Sequence, residues 1–225
     1  VYLTVNVRND NAYVVEYSTL VERTASIEEI KNDYFRNILH FLKFESWRHR
    51  LFKTQGLEIN IMSDVTTRSG LGVSGAMTVG LLQILHCLKG DATVSMSGIA
   101  EEAYHIEHDL IGSESTGKQD QYIAAYGGIT SFEINERGEV TCFPLDLDRH
   151  TLSELQDNIV LFGTRIVRTG TANEALKPIT THLKQQASTV GTTNNKSSEY
   201  FSYLDQIKAI GLRQRTALLN RKPDE

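Results

Sequence analysis

Cysteine is scarce in this 225-residue chain: Cys87 and Cys142 stand far apart, and neither belongs to a C-x-x-C pair or a Cys/His cluster. That pattern argues against a disulfide framework and a zinc site, and both thiols are expected to pack as small hydrophobes. No apolar run approaches the ~20 residues that a membrane-spanning helix requires. The first residues, Val-Tyr-Leu-Thr-Val-Asn-Val-Arg, alternate like a strand rather than a signal peptide, so a cytoplasmic location is expected. Charge of one sign is not concentrated either. The 23 basic and 28 acidic residues, net charge -5, are scattered, which gives no nucleic-acid footprint and no basic membrane-binding face. No internal repeat is visible. Small-molecule chemistry is the class that remains.

What is present is enough for a core: 40% of residues are hydrophobic, and the length suits one large domain or two ordinary ones. Alternating runs over 1–8 and 13–18, separated by Asn9, Asp10 and Asn11, predict a β-hairpin. A chain that starts inside a strand is expected to have lost an N-terminal neighbour. Ser26 and Glu29 form a capping-box pattern, and Ile27, Ile30, Tyr34, Ile38, Phe41 and Leu42 follow at helical spacing, which predicts a helix over 27–44. A strand over 56–62, a glycine-rich loop and a helix ending near Lys89 and Gly90 come next. Helices are predicted from about 97 to 110 and over 119–126, the second stopped by Gly127 and Gly128. Residues 129–134 and 139–143 flank a turn at 135–138 and predict a second hairpin. Pro144 and the charged residues 146–149 read as a domain junction, 158–162 as a strand, and 172–186 and 199–220 as helices around a polar linker.

The loop residues Gly70, Leu71, Gly72, Val73, Ser74 and Gly75 match G-x-G-x-x-G, a pattern shared by dinucleotide-binding folds, protein kinases and chance glycine turns. A dinucleotide fold requires the strand to run almost directly into the loop and a second strand to end on an acidic residue about 20 positions later. Asp91 has the spacing, but residues 81–88 continue a helix and residues 63–69 separate strand from loop. The Gly-Lys-Ser/Thr ending of a Walker A loop is also missing. What survives is that glycines let a backbone approach a ligand, and that unpaired N–H groups at a helix start favour a phosphate. Ser74 is the natural cap; on the plainer reading it caps a core helix and the glycines only turn the chain.

Two carboxylates stand at informative places. Glu107 lies beside the apolar stripe of its helix, and Asp120 follows Gly117, Lys118 and Gln119 at a helix start. Near that N-terminus and Lys118, Asp120 is expected to stay ionised, as a group that orients or deprotonates a hydroxyl must. Either residue could equally be a solvated helix-surface charge. Lys118 is a candidate to hold Asp120 anionic or to steady a transferring phosphoryl group, or else a surface lysine. His105 and His108 flank Glu107 without metal-site partners and read as helix-surface residues.

With these residues in place, SDVTTRSGLGVSGAMTVGLL resembles the second motif of the galactokinase, homoserine, mevalonate and phosphomevalonate (GHMP) kinase superfamily, usually Pro-x-x-x-Gly-Leu-Gly-Ser-Ser-Ala. GKQDQYIAAYGG resembles its catalytic segment, and with AEEAYHIEHDLIG it is similar to the bacterial heptose 7-phosphate kinases and, more distantly, to fucokinases and galactokinases. The resemblance implies an α+β, GHMP-kinase-like two-domain fold. A mixed β-sheet N-terminal domain packed with helices would occupy 1–150, and an incomplete ferredoxin-like α+β domain 151–225. It also implies an ATP- and Mg2+-dependent kinase acting on a sugar or sugar-phosphate hydroxyl, with other sugar kinases and a non-catalytic ligand-binding relative as alternatives. Gly70, Leu71, Gly72, Val73, Ser74, Gly75 and Ala76 would wrap the ATP phosphates. Ser74 and Glu107 would help hold magnesium, Asp120 would orient or deprotonate the acceptor, and Lys118 would assist it. Arg168 resembles an arginine of the heptose-kinase subgroup and would grip a sugar phosphate, a surface ion pair being the alternative. No nucleic acid or membrane is implied, and a homodimer is compatible with the reading.

This chain departs from the superfamily pattern in carrying Val73 for a serine and Thr66 for a proline. Neither change removes a backbone donor. The family's first and third motifs are expected to lie outside residues 1–225, so this stretch on its own is expected to be inactive.

Overall fold

The computed structural model describes residues 1–51, 56–65, 69–91, 93–163, 174, 177–181 and 195–220. The chain divides into two compact units, one of residues 1–127 with 168–177 and one of residues 128–167 with 178–225.

In the first unit a four-stranded mixed sheet has the order β1 (Tyr2–Arg8), β4 (Gly56–Met62), β2 (Tyr13–Tyr17), β3 (Leu20–Thr24). β4 is antiparallel to β1 and parallel to β2, so Val5, Ile59 and Val15 line up across three strands on one face. The same period of two puts Glu58 and Asn60 on the other face, where Arg8 pairs with Glu58 at 2.7 Å. The hairpin expected between β1 and β2 does not form. Both strands are present, but β4 lies between them, and the hairpin of this region is β2–β3.

Helices cover the apolar face. α1 (Asp33–Phe41) starts at Asn32, whose side chain accepts the N–H groups of Tyr34 and Phe35. The expected start at 27 is thus corrected: Glu29 accepts the N–H of Ala25 at 3.0 Å instead of closing a capping box, although Ile27 and Ile30 are buried as the apolar pattern required. The expected end at 44 is corrected too, because Lys43 takes a left-handed conformation (φ 52°) that separates α1 from α2 (Phe44–Leu51). α3 (Val73–Lys89) follows the glycine loop and ends at Gly90 in the left-handed conformation, as expected. It buries Val79, Leu81, Leu82 and Leu85, each contributing about 1.5–3 kcal/mol when fully removed from water. Gly80 lets it approach β1, since a Cβ there would lie 2.5 Å from Cδ1 of Leu3. Cys87, on the same helix, is exposed and not packed as expected.

α4 (Met96–His105) begins one residue before the expected 97, with Ser95 accepting the N–H of Gly98 at 3.0 Å. Its last turn widens into a π-helical segment, Ile106–Leu110, in which the N–H of Ile111 reaches back five residues to the carbonyl of Ile106. Leu110, expected on the buried stripe, is turned outward as a result, while Ile106 and Glu107 stay buried. α5 (Gln119–Tyr126) has the expected bounds and packs against α3 and α4.

In the second unit, β5 (Thr130–Ile134) and β6 (Val140–Pro144) form the expected antiparallel hairpin. Asp148 then caps α6 (Arg149–Asn158) by accepting the N–H and hydroxyl of Thr151 at 2.9 and 2.7 Å. The strand expected over 158–162 is a correction: Asn158 closes α6, and residues 159–162 are exposed and in no strand. α7 (Asn195–Asn220) contains the helix expected over 199–220. Its Arg215 pairs with Glu133 of β5 at 2.7 Å and stacks over Phe143 of β6. Of the helix expected over 172–186, the described residues 174 and 177–181 are helical. Part of the ferredoxin-like domain expected over 151–225 falls on residues outside the described ones.

Candidate functional site: a glycine loop, two carboxyl groups and a helix start

The site is assembled where α3 begins. Gly70 and Gly72 have φ of 80° and 70°, conformations that cost a side-chain-bearing residue about 1–2 kcal/mol. Gly72, and not Ser74 as expected, occupies the N-cap position, and no side chain caps the helix there. Ser74 sits inside the first turn, where its carbonyl accepts the hydroxyl of Thr78 at 3.0 Å. Among the described residues the first turn of α3 therefore has no side-chain cap, and its N–H groups favour an anion.

α5 closes one side of this loop. A Cβ built on Gly72 would lie 3.4–3.6 Å from the carboxylate atoms of Asp120, and one built on Gly75 would lie 3.0 Å from the Cβ of Asp120. Gly75 thus permits the close approach of α3 and α5, whereas a Cβ at Gly72 would make ordinary contact, and the Asp120 carboxylate is seated against the loop. α4 supplies the second carboxyl group. Glu107 is 2% exposed, with the side chains of Gln121, Thr78 and Ser74 in hydrogen-bonding reach. Burial raises its pKa above the ordinary carboxylate range, those three partners act the other way, and the neighbouring Asp120 charge adds to the rise. The buried Gln121 amide, oriented with its nitrogen toward the carbonyls of Gly117 (3.1 Å) and Lys118 (3.3 Å), braces the turn ahead of α5.

The structure therefore brings together Gly70, Leu71, Gly72, Val73, Ser74, Gly75, Ala76, Glu107 and Asp120. It places the Lys118 ammonium on Glu101 of α4, 2.7 and 2.8 Å from the two carboxylate oxygens, and 4.9 Å from the centre of the Tyr104 ring. Arg168 lies outside the described residues. His105 and His108 both bond Asp109 through Nδ1, at 2.6 and 2.7 Å. Two neighbours were not singled out by sequence reasoning. Tyr34 of α1, which burial and the Glu107 charge hold above the ordinary phenol range, is in hydrogen-bonding reach of Ser74. Glu101 holds Lys118 and also accepts the hydroxyl of Tyr122 at 2.5 Å. The only sequence signal for the latter was that residues 118 and 122 share one helix face.

Residues 33–128 match the model of the GHMP kinases N terminal domain, a stretch that contains the loop, Glu107 and Asp120. This stretch is similar to a GHMP kinase N-terminal domain. A curated relative, D-glycero-alpha-D-manno-heptose 7-phosphate kinase of Campylobacter jejuni subsp. jejuni serotype O:2, is 33% identical over 120 residues, 52% of this chain and 34% of the relative. The match thus spans about a third of that protein. The crystal structure of a D-glycero-D-manno-heptose 1-phosphate kinase from Bacteroides thetaiotaomicron aligns with a TM-score of 0.59 at 24% identity, over 68% of this chain and 50% of that one. Mevalonate kinase of Methanococcus jannaschii aligns with a TM-score of 0.58 at 17% identity, over 94% and 62%. The α+β architecture is therefore the GHMP kinase fold.

The donor set fits magnesium and nucleotide phosphates. Among the described residues no three His, Cys, Asp or Glu side chains converge as an all-protein metal site. Magnesium, however, is commonly held by one or two protein oxygens plus substrate phosphates, and Ser74 and Glu107 offer one hydroxyl and one carboxyl group beside the uncapped start of α3.

Proposed function

We propose that this chain supplies the phosphate-binding and proton-accepting part of an ATP- and magnesium-dependent kinase that phosphorylates a sugar or sugar-phosphate hydroxyl. The acceptor of first choice is D-glycero-D-manno-heptose 7-phosphate, phosphorylated to the 1,7-bisphosphate. The observation that carries the reading is the seat of the Asp120 carboxylate against Gly72 and Gly75, beside the buried Glu107. The choice of heptose 7-phosphate is supported by the name of the Campylobacter relative.

The backbone N–H groups of the loop, Gly70 to Ala76, take the ATP phosphates, and the glycines leave room for them. Ser74 and Glu107 hold magnesium, which neutralises phosphate charge when bound. Asp120 accepts the proton of the acceptor hydroxyl as that oxygen attacks the γ-phosphorus and the bond to the ADP leaving group breaks. Lys118 acts with Asp120, and Arg168 holds the acceptor phosphate.

The test is turnover with ATP and magnesium, by a chain that also carries the family's first and third motifs, across heptose 7-phosphate, the unphosphorylated heptose, fucose and galactose. Heptose 7-phosphate should be preferred, and Asp120→Asn should lose on the order of 10²–10⁴-fold in kcat, because an amide cannot take up a proton. Preference for fucose would move the reading to a fucokinase. Nucleotide binding without transfer to any acceptor would replace it with a ligand-binding role, and an Asp120→Asn variant with wild-type kcat would remove the base assignment.

A further inference from the structure

Glu101 has no assigned role in the AEEAYHIEHDLIG segment, yet two groups converge on it. Lys118 Nζ contacts both of its carboxylate oxygens at 2.7 and 2.8 Å, and the Tyr122 hydroxyl donates to Oε1 at 2.5 Å. Lys118 immediately precedes the first residue of α5, and Tyr122 follows four residues later, so both project from the same face of that helix, toward α4. Asp120 is two residues from each. At about 100° per residue it projects from nearly the opposite side, where its carboxylate meets Gly72. A helix of eight residues held on one side by Glu101 has its rotation about its own axis fixed, and that rotation decides where Asp120 points.

The geometry points to Glu101 as a positioning residue that, through Lys118 and Tyr122, locks the rotation of α5 and so aims Asp120 at the glycine loop. This rests on the kinase reading above only for what Asp120 does there. The lock itself is a property of α4 and α5. Lys118 thereby contributes through its ion pair with Glu101; to steady a transferring phosphoryl group directly, it would have to leave a carboxylate that it grips with both oxygens. The pair is not a large source of stability. The Glu101 side chain is 43% exposed, and ion pairs in such surroundings contribute little to folding. Their value here is directional.

Three variants test the lock: Glu101→Gln, Tyr122→Phe, and the charge exchange Glu101→Lys with Lys118→Glu. Glu101→Gln should melt close to the wild type. Its kcat should fall about 10–100-fold, the loss expected of a reacting group misplaced by a fraction of an ångström to an ångström, with the nucleotide KM unchanged. Tyr122→Phe should give a smaller loss of the same kind, and the charge exchange should recover part of the kcat. Amide hydrogen exchange across 119–126 should speed up in Glu101→Gln while that of α3 stays as in the wild type. A Glu101→Gln variant with wild-type kcat and wild-type exchange in α5 overturns the lock, as does a Lys118→Met loss of kcat that Glu101→Gln does not share. If a chain that also carries the family's first and third motifs transfers phosphate to no acceptor, the kinase reading fails alone, and the exchange of residues 119–126 decides the lock.

Discussion

Gly75→Ala puts the closeness of α3 and α5 to the test. The new Cβ would lie 3.0 Å from the Cβ of Asp120, 3.1 Å from its carbonyl carbon and 3.3 Å from its carbonyl oxygen. Two of those atoms are backbone, so no rotamer change of Asp120 relieves the contact. Restoring an ordinary carbon–carbon separation of 3.5–4.0 Å requires α5 to back away by about 0.5–1 Å. Overpacking of this kind costs about 1–3 kcal/mol, and the gain in helix propensity from Gly to Ala offsets up to about 1 kcal/mol. The net loss of stability is therefore about 0–3 kcal/mol. The effect on turnover should be larger, on the order of 10–100-fold in kcat, because the atoms displaced carry Asp120. Gly80→Ala is the control on the same helix. Its Cβ meets Cδ1 of Leu3 at 2.5 Å, the far end of a side chain that can rotate aside. It should leave kcat unchanged and shift stability by less than about 1 kcal/mol. Thermal unfolding, steady-state kinetics and a crystal structure of the Gly75→Ala variant are the measurements. Wild-type kcat with Asp120 in place, or an equal loss of kcat in Gly80→Ala, would refute the reasoning.

Glu107→Gln, compared with the wild type in chelator, should be more stable at pH 8 by on the order of 1–3 kcal/mol, the cost of burying an imperfectly satisfied ionisable group. The folded pKa of Glu107 is raised by burial, so its stability cost is absent below the unfolded value and grows as pH rises toward the folded one. The advantage of the variant should accordingly vanish by pH 4 in calorimetry, while magnesium-dependent nucleotide binding is lost; a variant less stable than the wild type at pH 8 would contradict the account. Asp148 runs the other way: its bonds to Thr151 lower its pKa, so its contribution is present above about pH 4 and lost as pH falls through the folded value. Asp148→Asn, which can still cap α6, should flatten the acid side of the melting-temperature profile, and an unchanged acid slope would count against the cap.

The parts of the fold that could be read from sequence are those whose signal is local. Alternation gave β4 its bounds, Gly90 ended α3, and Gly127 with Gly128 ended α5. Pairing is not local. The alternation of β1 and β2 marks both as strands but carries no information about the strand that returns more than thirty residues after β2 to lie between them. Residues 27–30 show the same limit from another side, since Ile27 and Ile30 are buried at helical spacing in a segment that is not helical. The apolar residues Ile159, Val160, Leu161 and Phe162 imitated a strand, while the cap at Asp148 and Thr151 was a helix-start signal left unread.

The site divides along the same line. The glycine loop and Asp120 could be singled out because their residue types are constrained by backbone conformation and close approach. The burial of Glu107 was legible only in part: its i+4 spacing from Ala103 sets it by the apolar stripe, but a carboxyl group there reads as well as a surface charge. Its placement has a consequence for how the site works. A regular helix leaves i, i+3 and i+4 in one stripe, so Glu107, four residues after the buried Ala103, is carried inward with that stripe. With one extra residue in the following turn, Leu110 goes outward while Ile106 and Glu107 both remain covered. The carboxyl group is thus buried by its position on the helix. Its raised pKa follows from that placement and precedes any ligand, so a cation arriving between Ser74 and Glu107 must displace a proton over part of the pH range and binds more tightly as pH rises. Asp120, aimed from α5 at the other side of the same loop, is placed by packing against Gly72 and Gly75. Neither carboxyl group waits for the other to be assembled.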